Sequence, residues 1–176
     1  TVGNPLASER VNYRGTVNIL EAARHAGVQR VMFACSAAVY GDLPELPKRE
    51  DLPVRPLTPY AIDKLASEYA CQAYYSLYGL ETVSLRYFNV FGPRQDPSSP
   101  YSGVISIFSD ALTNGKQPLI YGDGEQTRDF VYVADVVEAN IRASLASDAP
   151  GRTFNVATDG TLSINDLLKT ICDIKG

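Results

Sequence analysis

The chain has 176 residues, of which 45% are hydrophobic, and its formal net charge is −4. This length fits one domain, or one domain with an additional lobe, and the apolar content is sufficient for a packed core. The acidic balance argues against a general nucleic-acid or membrane surface, and no apolar run or signal-peptide pattern indicates insertion into a bilayer.

The cysteines and the single histidine give no metal-ligand spacing. Cys35, Cys71 and Cys172 are odd in number, with one in a predicted strand and two in predicted helices. We therefore expect free thiols in a reducing cytosol and a cytoplasmic protein. His25 lies at a helix end beside Gly27, where we expect a solvated or capping role.

The first predicted element is a helix from about residue 7 to residue 26. Gly27 follows it, and glycine commonly ends a helix. Asn12 lies inside this helix although asparagine is a poor helix former. The predicted apolar side consists of Val11, Ile19, Leu20 and Ala23.

A short apolar run, Val31–Cys35, is typical of a strand buried on both faces. Ser36 follows at its carboxyl end, where ligands gather in open α/β sheets. Its hydroxyl could pass a proton between a substrate and a base, and a plain turn residue is the alternative. Residues 41–58 form a proline-rich loop that we expect to border the site.

The next predicted helix covers residues 60–78, with Thr58 as its N-cap, and it carries Tyr60 and Lys64. These two residues are four apart and share one helix face. A phenol titrates near about 10, but a neighbouring cation favours the phenolate, which could serve as a general base for a sugar hydroxyl. A surface tyrosine beside a solvated lysine is the alternative. The predicted buried stripe consists of Leu65, Tyr69, Ala73 and Leu77.

The later elements alternate between strands and helices. Thr82–Tyr87 reads as a strand, and we place Asn89 at a strand end. Gly122-Asp123-Gly124 lacks the third glycine of a dinucleotide fingerprint, so we interpret it as a turn. The remaining predictions are a loop with Pro97 and Pro100, a helix over 103–114, a strand over 118–122, a helix over 135–147, a strand over 153–156, and a helix over 163–174 capped by Ser163.

Four blocks in order carry a family resemblance: SAAVYG at 36–41, YAIDK at 60–64, RYFNVFGPR at 86–94 and DGEQTRDFVYV at 123–133. Together they resemble the extended short-chain dehydrogenase/reductase family, in particular its NAD-dependent nucleotide-sugar epimerases, from about residue 4 to the end. The resemblance implies an α/β fold. It consists of the later part of a Rossmann-type parallel sheet within residues 1–92 and a smaller α/β substrate-binding lobe mainly within residues 93–176, with some segments returning to the sheet.

Family members begin with a strand and a glycine-rich turn for the cofactor pyrophosphate, followed by an acidic residue for the ribose. Neither is present here, and a late segment that shapes the sugar pocket is also missing. We therefore expect the sequence to be part of a longer chain. Strand 31–35 would then lack its inner neighbour and would expose an apolar edge.

The resemblance also implies site residues. Ser36, Tyr60 and Lys64 would be catalytic, and NAD would be bound by Tyr60, Lys64, Tyr87 and Asn12, although a surface role for Asn12 stays equally open. Tyr121 would stack on uracil, with a core position as the alternative. Arg128 would grip a diphosphate, with an ion pair to Asp129 as the alternative. The implied substrate-binding residues are Ser36, Asn89, Gly103, Val104, Tyr121 and Arg128.

The reaction implied is NAD-dependent epimerisation at C4 of a UDP-hexose, plain or N-acetylated, by a homodimer. Ala37 and Ala38 stand where dehydratases and decarboxylases of the family carry acidic residues, which disfavours those reactions. Arg94–Pro97 with Tyr101 resembles the UDP-N-acetylglucosamine 4-epimerases. A nucleotide-sugar 4-ketoreductase and a non-catalytic sugar-nucleotide-binding module remain the alternatives.

Overall fold

The computed structural model describes residues 2–99 and 102–175, so the predictions for Pro100 and Tyr101 lie outside the described residues. The chain divides into two compact units. The first contains Thr1–Phe88 and Val137–Val156, and the second contains Asn89–Val136 and Ala157–Gly176. The domain boundary predicted between residues 92 and 93 stays a prediction.

The first unit is built on a three-stranded parallel sheet in the order β1-β2-β6. Its strands are β1 (Arg30–Ser36), β2 (Glu81–Tyr87) and β6 (Thr153–Val156). β1 is therefore an edge strand of this sheet. The helices of the unit are α1 (Pro5–Glu9), a π-helical turn (Arg10–Arg14), α2 (Gly15–His25), α3 (Pro59–Tyr78) and most of α5 (Val133–Leu145).

The second unit contains two small sheets. β3 (Asn89–Phe91) pairs in parallel with β5 (Phe130–Tyr132), and β4 (Thr127–Arg128) pairs antiparallel with β7 (Leu162–Ser163). The helices α4 (Val104–Thr113) and α6 (Ile164–Lys175) pack together around Phe108, Leu167 and other apolar side chains.

Local sequence signals explain how α3 begins and ends. The Thr58 hydroxyl accepts a hydrogen bond from the backbone N–H of Ala61 at 3.2 Å, and Pro59 occupies the first turn. Gly79 ends the helix in the left-handed conformation with φ 71°, as predicted for a terminating glycine. The helix predicted over residues 60–78 is thus confirmed to within one residue.

Two predicted apolar faces were only partly correct. On α3, Leu65 packs against the core as predicted, but Tyr69, Ala73 and Leu77 are exposed. The polar residues Asp63, Ser67 and Glu68 are buried instead, and each has a hydrogen-bond partner on another element. In the first helix, Leu20 and Ala23 are buried as predicted, but Val11 and Ile19 are exposed, and a π-helical turn interrupts the α-helix.

Three strand predictions also need correction. Asn89 begins β3 and does not end a strand. Residues 118–122 form coil and a turn, so the strand predicted there was wrong. β1 is buried at Phe33 and Cys35 while Ala34 is exposed, so only part of the strand is covered on both faces.

No helix within residues 2–99 and 102–175 combines the length and apolar character needed to cross a membrane. In the same part of the chain, no group of three or more His, Cys, Asp or Glu side chains is placed to hold a metal ion.

Candidate functional site

Ser36 lies at the carboxyl end of β1, where the parallel sheet presents its strand ends. Its register partner on β2 is Tyr87, so both residues lie at the same edge of the sheet. The Ser36 hydroxyl accepts a hydrogen bond from the backbone N–H of Ala38 at 3.2 Å and caps the 3-10 turn Ala37–Tyr40. The hydroxyl is therefore held in a defined position at the ligand-binding edge of the fold.

Lys64 reaches from α3 to the end of β1. Its Nζ donates to the carbonyl of Ala34 at 2.9 Å and lies 5.8 Å from the centre of the Tyr60 ring and 5.1 Å from the centre of the Phe33 ring. Burial lowers the pKa of the Lys64 ammonium from its ordinary value. An ammonium has three N–H donors, so the Ala34 bond orients Lys64 without using all of them.

A hydrogen-bond chain connects the first helix to the residue before Lys64. The Asn12 side chain donates to the carbonyl of Ser8 at 3.1 Å, and the Ser8 hydroxyl donates to the carboxylate of Asp63 at 2.5 Å. The Ser67 hydroxyl donates to the carbonyls of Asp63 at 2.8 Å and Asn12 at 3.3 Å. These contacts fix the position of α3 against the π-helical turn that contains Asn12.

Sequence reasoning missed Ser8 and Asp63. Both side chains are buried, with exposed fractions of 6% and 7%. The one available signal was Asp63 itself, because a carboxylate next to Lys64 interrupts the apolar pattern of the helix. Its partner lies 55 residues away in sequence, and no periodicity in the chain indicates that contact.

A second buried network lies behind the 3-10 turn that follows Ser36. Arg86 donates from Nη2 and Nε to the carboxylate of Glu68, at 2.6 and 2.9 Å, and from Nη1 to the Tyr40 hydroxyl at 2.7 Å. The Tyr40 hydroxyl donates to the side-chain oxygen of Asn155 at 2.8 Å. Burial tends to lower the pKa of Arg86, but the bonds and charge of Glu68 outweigh burial and raise it. The network anchors the end of the turn that Ser36 begins.

Tyr87 and Asn89 lie on either side of the division between the two units. In the first unit, the Tyr87 hydroxyl hydrogen-bonds to the side-chain amide of Asn140, 2.7 Å from Nδ2. In the second unit, Asn89 donates from its backbone N–H at 3.1 Å and from Nδ2 at 2.8 Å to the carbonyl of Asp129. Both side chains are thus oriented by protein contacts.

Arg128 and Asp129 do not form the ion pair that was the alternative to phosphate binding, because each side chain has another partner. The Asp129 carboxylate accepts from the backbone N–H of Thr158 at 3.0 Å and from its hydroxyl at 2.8 Å. The Arg128 guanidinium donates to the carbonyl of Thr127 at 2.8 Å and is exposed. Because Asp129 is engaged by Thr158, Arg128 presents its charge at the surface of the second unit.

The remaining predicted substrate residues also lie in the second unit. Gly103 is the N-cap of α4, and Val104 is the first residue of that helix. Tyr121 is 79% exposed, so its alternative placement in the core was wrong. The structure thus brings Ser36, Tyr60, Lys64, Asn12 and Tyr87 into the first unit and Asn89, Gly103, Val104, Tyr121 and Arg128 into the second. Their functional roles stay predictions.

Comparison with known proteins agrees with this architecture. Residues 1–157 match a family model described as the NAD-dependent epimerase/dehydratase family. The UDP-glucose 4-epimerase of Mycolicibacterium smegmatis is 43% identical over 177 residues, which is 100% of this chain and 56% of that protein. The chain therefore spans about half the length of such relatives.

Solved structures of Rossmann-type epimerases superpose closely. The UDP-N-acetylglucosamine 4-epimerase of Methanobrevibacter ruminantium, solved with UDP-N-acetylmuramic acid, has a TM-score of 0.94 and 42% identity over 99% of this chain and 56% of its own. The UDP-glucose 4-epimerase of Thermus thermophilus, solved with NAD, has a TM-score of 0.88 and 37% identity over 98% of this chain and 56% of its own. The chain belongs to the NAD-dependent epimerase/dehydratase family.

Proposed function

We propose that the whole protein epimerises C4 of a UDP-hexose with NAD, through a 4-keto intermediate. One observation carries the proposal, the position of the Lys64 ammonium. It donates to the carbonyl of Ala34, which precedes Ser36 by two residues in β1, and it lies 5.8 Å from the centre of the Tyr60 ring. A hydroxyl, a phenol and an ammonium in one unit are the groups that proton transfer at a sugar hydroxyl requires. Membership of the family supports the same reaction.

In this mechanism Tyr60 acts as a phenolate and takes the proton from the C4 hydroxyl. The Ser36 hydroxyl, fixed by the backbone N–H of Ala38, passes that proton between the sugar and Tyr60. Lys64 provides the positive charge that favours the phenolate. On the return step Tyr60 gives the proton back to the C4 oxygen. The configuration at C4 would invert because the 4-keto sugar turns over while its diphosphate stays anchored, so that the hydride removed from one face is returned to the other.

The first unit offers groups that fit a nicotinamide cofactor. Lys64 retains N–H donors for a ribose hydroxyl, Tyr87 lies at the same sheet edge as Ser36, and Asn12 supports α3 through Ser8 and Asp63. When bound, NAD supplies the oxidation and the reduction at C4. The protein contributes orientation and electrostatics.

We assign substrate anchoring to the second unit. The exposed Arg128 guanidinium suits a diphosphate, which it can grip through two oxygens, and Asn89 contributes a further polar contact. Tyr121 offers an exposed aromatic face for uracil. Gly103 and Val104 form the start of α4, which we place against the nucleotide.

The residues that follow Ser36 favour epimerisation over elimination or decarboxylation. Ala37 and Ala38 have no side-chain proton to donate, and both lie in the 3-10 turn directly after the proposed catalytic serine.

Turnover of UDP-glucose and UDP-N-acetylglucosamine by the whole protein, measured side by side, decides which sugar it accepts. Stoichiometric consumption of NADPH would contradict epimerisation, because an epimerase regenerates its cofactor.

We also propose that the protein is a cytoplasmic homodimer. The support for the dimer is an apolar stripe along α3 in which Ile62, Tyr69 and Leu77 are 53%, 52% and 72% exposed. A second copy would remove these side chains from water. The support for the cytoplasm is that the cysteines are free thiols, as in a reducing compartment.

Tyr60→Phe in the whole protein tests the mechanism. We expect turnover to fall by about 10²–10⁴-fold, since general acid–base catalysis contributes that much, while UDP-sugar binding persists. Tyr78→Phe, on the same helix, removes an exposed phenol and serves as the control. Unchanged turnover in Tyr60→Phe would remove Tyr60 from this role, and a protein that binds no NAD would favour a non-catalytic module.

A further inference from the structure

The turn at residues 122–125 has an unusual backbone. Gly122 and Gly124 have φ values of 78° and 77°, in the left-handed region that favours glycine. The Asp123 carboxylate accepts a hydrogen bond from the backbone N–H of Glu125 at 3.0 Å. Gly124 is buried although its neighbours are exposed, so something covers the turn at that point.

The start of α6 covers it. The first backbone N–H groups of a helix lack partners within the helix. Here Ile164 N–H donates to the carbonyl of Gln126 at 3.2 Å, and Asn165 N–H donates to the carbonyl of Gly124 at 3.1 Å. The Ser163 hydroxyl completes the cap by accepting from Asp166 N–H at 3.0 Å. The turn and the helix start are therefore one hydrogen-bonded assembly.

The Asn165 side chain adds the contacts that are specific to its amide. Its Nδ2 donates to the carbonyl of Asp123 at 3.0 Å and to the carboxylate of Glu125 at 2.6 Å. Its Oδ1 lies where a side chain on Gly124 would be, because a Cβ added there would be 2.1 Å from that oxygen. One side-chain amide thus lies against Asp123, Gly124 and Glu125, three of the four residues of the turn.

The segment on either side of this turn carries both predicted nucleotide contacts. Tyr121 precedes the turn, and its carbonyl accepts from the Gln126 side chain at 3.0 Å. Arg128 follows it in β4, where it pairs with Leu162 of β7 just before α6 begins. The position of each residue therefore depends on how the turn is seated on α6.

We propose that Asn165 is a positioning residue for nucleotide binding. Through residues 123–125 it holds Tyr121 and Arg128 in the arrangement that accepts the uridine diphosphate group. Asn165 acts through the turn, while Tyr121 and Arg128 make the contact with the nucleotide. This inference rests on the proposed function.

The test is the substitution Asn165→Asp in the whole protein, which replaces the Nδ2 donor of the side-chain amide with a carboxylate oxygen that can only accept. In Asn165→Asp a carboxylate faces the carbonyl of Asp123 and the carboxylate of Glu125, and both contacts become repulsive. We expect the Kd for UDP, measured by calorimetry, to rise about tenfold. With UDP-sugar, we expect KM to rise similarly while kcat stays within about twofold, because the groups that react are untouched.

A second substitution separates positioning from general destabilisation. Glu125→Gln alone keeps an acceptor for Asn165, so we expect only a small change in Kd. The double variant combines Asn165→Asp with Glu125→Gln. In it the glutamine amide can donate to the new aspartate carboxylate, which restores the hydrogen bond between positions 125 and 165 with donor and acceptor exchanged. We expect the double variant to recover most of the UDP affinity that the single variant loses.

Asn114→Asp is the matched control. Asn114 is the C-cap of α4, and its amide donates to the carbonyl and carboxylate of Asp110 at 2.9 and 3.1 Å, so it makes the same kinds of contact away from the turn. Its replacement should leave UDP affinity unchanged. Normal UDP affinity in a folded Asn165→Asp variant, or no recovery in the double variant, would overturn the inference. A wild-type protein that binds no UDP would instead overturn the proposed function and, with it, this role.

Discussion

Lys64 is a charged group in a half-buried position. Because burial lowers its pKa, the unfolded chain holds this proton more tightly than the folded chain does. Stability linked to Lys64 is therefore gained as the pH rises through the window from the lowered pKa to the ordinary value of 10.5. That stability is lost as the pH falls through the lowered pKa, so the folded protein carries the cost of burying the charge at neutral pH.

Lys64→Met removes the cost of burying the ammonium, and it also removes the positive charge that the proposed mechanism requires beside Tyr60. We expect the urea midpoint at pH 7 to stay equal or to rise, while turnover falls by at least about 10²-fold. Lys169→Met, which changes an exposed lysine of α6, should alter neither quantity. A marked loss of stability in Lys64→Met would mean that the bond to Ala34 outweighs the cost of burial.

At the scale of single residues, the sequence indicates the local part of the candidate site. The spacing of Tyr60 and Lys64 and the strand end at Ser36 are visible because the relevant contacts lie within one element or at its boundary. The partners of Asn12 are not visible in this way. Ser8 and Asp63 meet only because α1 and α3 pack together, and hydrogen bonds across 55 residues leave no periodic signal.

At the scale of elements, α3 depends on its first turn to present Tyr60. Thr58→Ala removes the side-chain acceptor of the Ala61 N–H, and we expect a loss of about 1 kcal/mol in the free energy of unfolding. Thr58→Ser keeps the acceptor and is the control. Urea unfolding of the two variants gives the difference, and equal stabilities would mean that the cap contributes little here.

The buried ion pair between Arg86 of β2 and Glu68 of α3 gives a larger effect. Arg86→Met leaves the Glu68 carboxylate buried without its cation, and such losses cost about 3–5 kcal/mol. Replacing both residues with apolar ones should recover most of that loss. Arg142→Met breaks the exposed pair with Glu138 and should cost at most about 0.5 kcal/mol. Denaturant midpoints compare all three, and a mild effect of Arg86→Met would contradict the role of the pair.

These polar contacts also explain why the buried face of α3 was predicted wrongly. Apolar spacing selects Tyr69 and Leu77, yet the buried positions of the helix include Ser67, which bonds to Asn12, and Glu68, which faces the sheet. Buried polar residues are stable only when partners satisfy them, and the partner of Glu68 is Arg86 on another element. The positions of most helices and of β1, β2 and β6 followed from local signals, but the short strands of the second unit and the buried face of α3 depended on distant residues.

At the scale of the whole molecule, the three-stranded sheet of the first unit is completed by a strand from late in the chain, β6. β6 pairs with β2 although residues 89–136 between them belong to the second unit. The apolar pattern of the sequence gives no reason to expect this pairing. Pairing between distant segments is a property of topology that local patterns do not encode.

The exposed stripe of α3 makes the proposed homodimer testable. Ile62→Glu places a charge in the stripe, and we expect light scattering to show monomers where the wild-type whole protein forms dimers. Leu145→Glu introduces the same charge at the 78% exposed end of α5 and should leave the dimer intact. Dimers that survive Ile62→Glu would place the interface elsewhere.

Two of the three cysteine thiols, Cys35 and Cys71, are buried, and this has a practical consequence. Cys35 donates to the Glu68 carboxylate, its pKa is raised by burial, and burial also raises the pKa of Cys71 to about 12. Cys172 is exposed near the end of α6. A maleimide fluorophore added to the native chain therefore attaches at Cys172 first, and the other two thiols become reactive as the fold opens. Because maleimide alkylation is irreversible, a short labelling pulse is needed. The dye-to-protein ratio above one then reports the molecules that were open during the pulse, without any engineered handle.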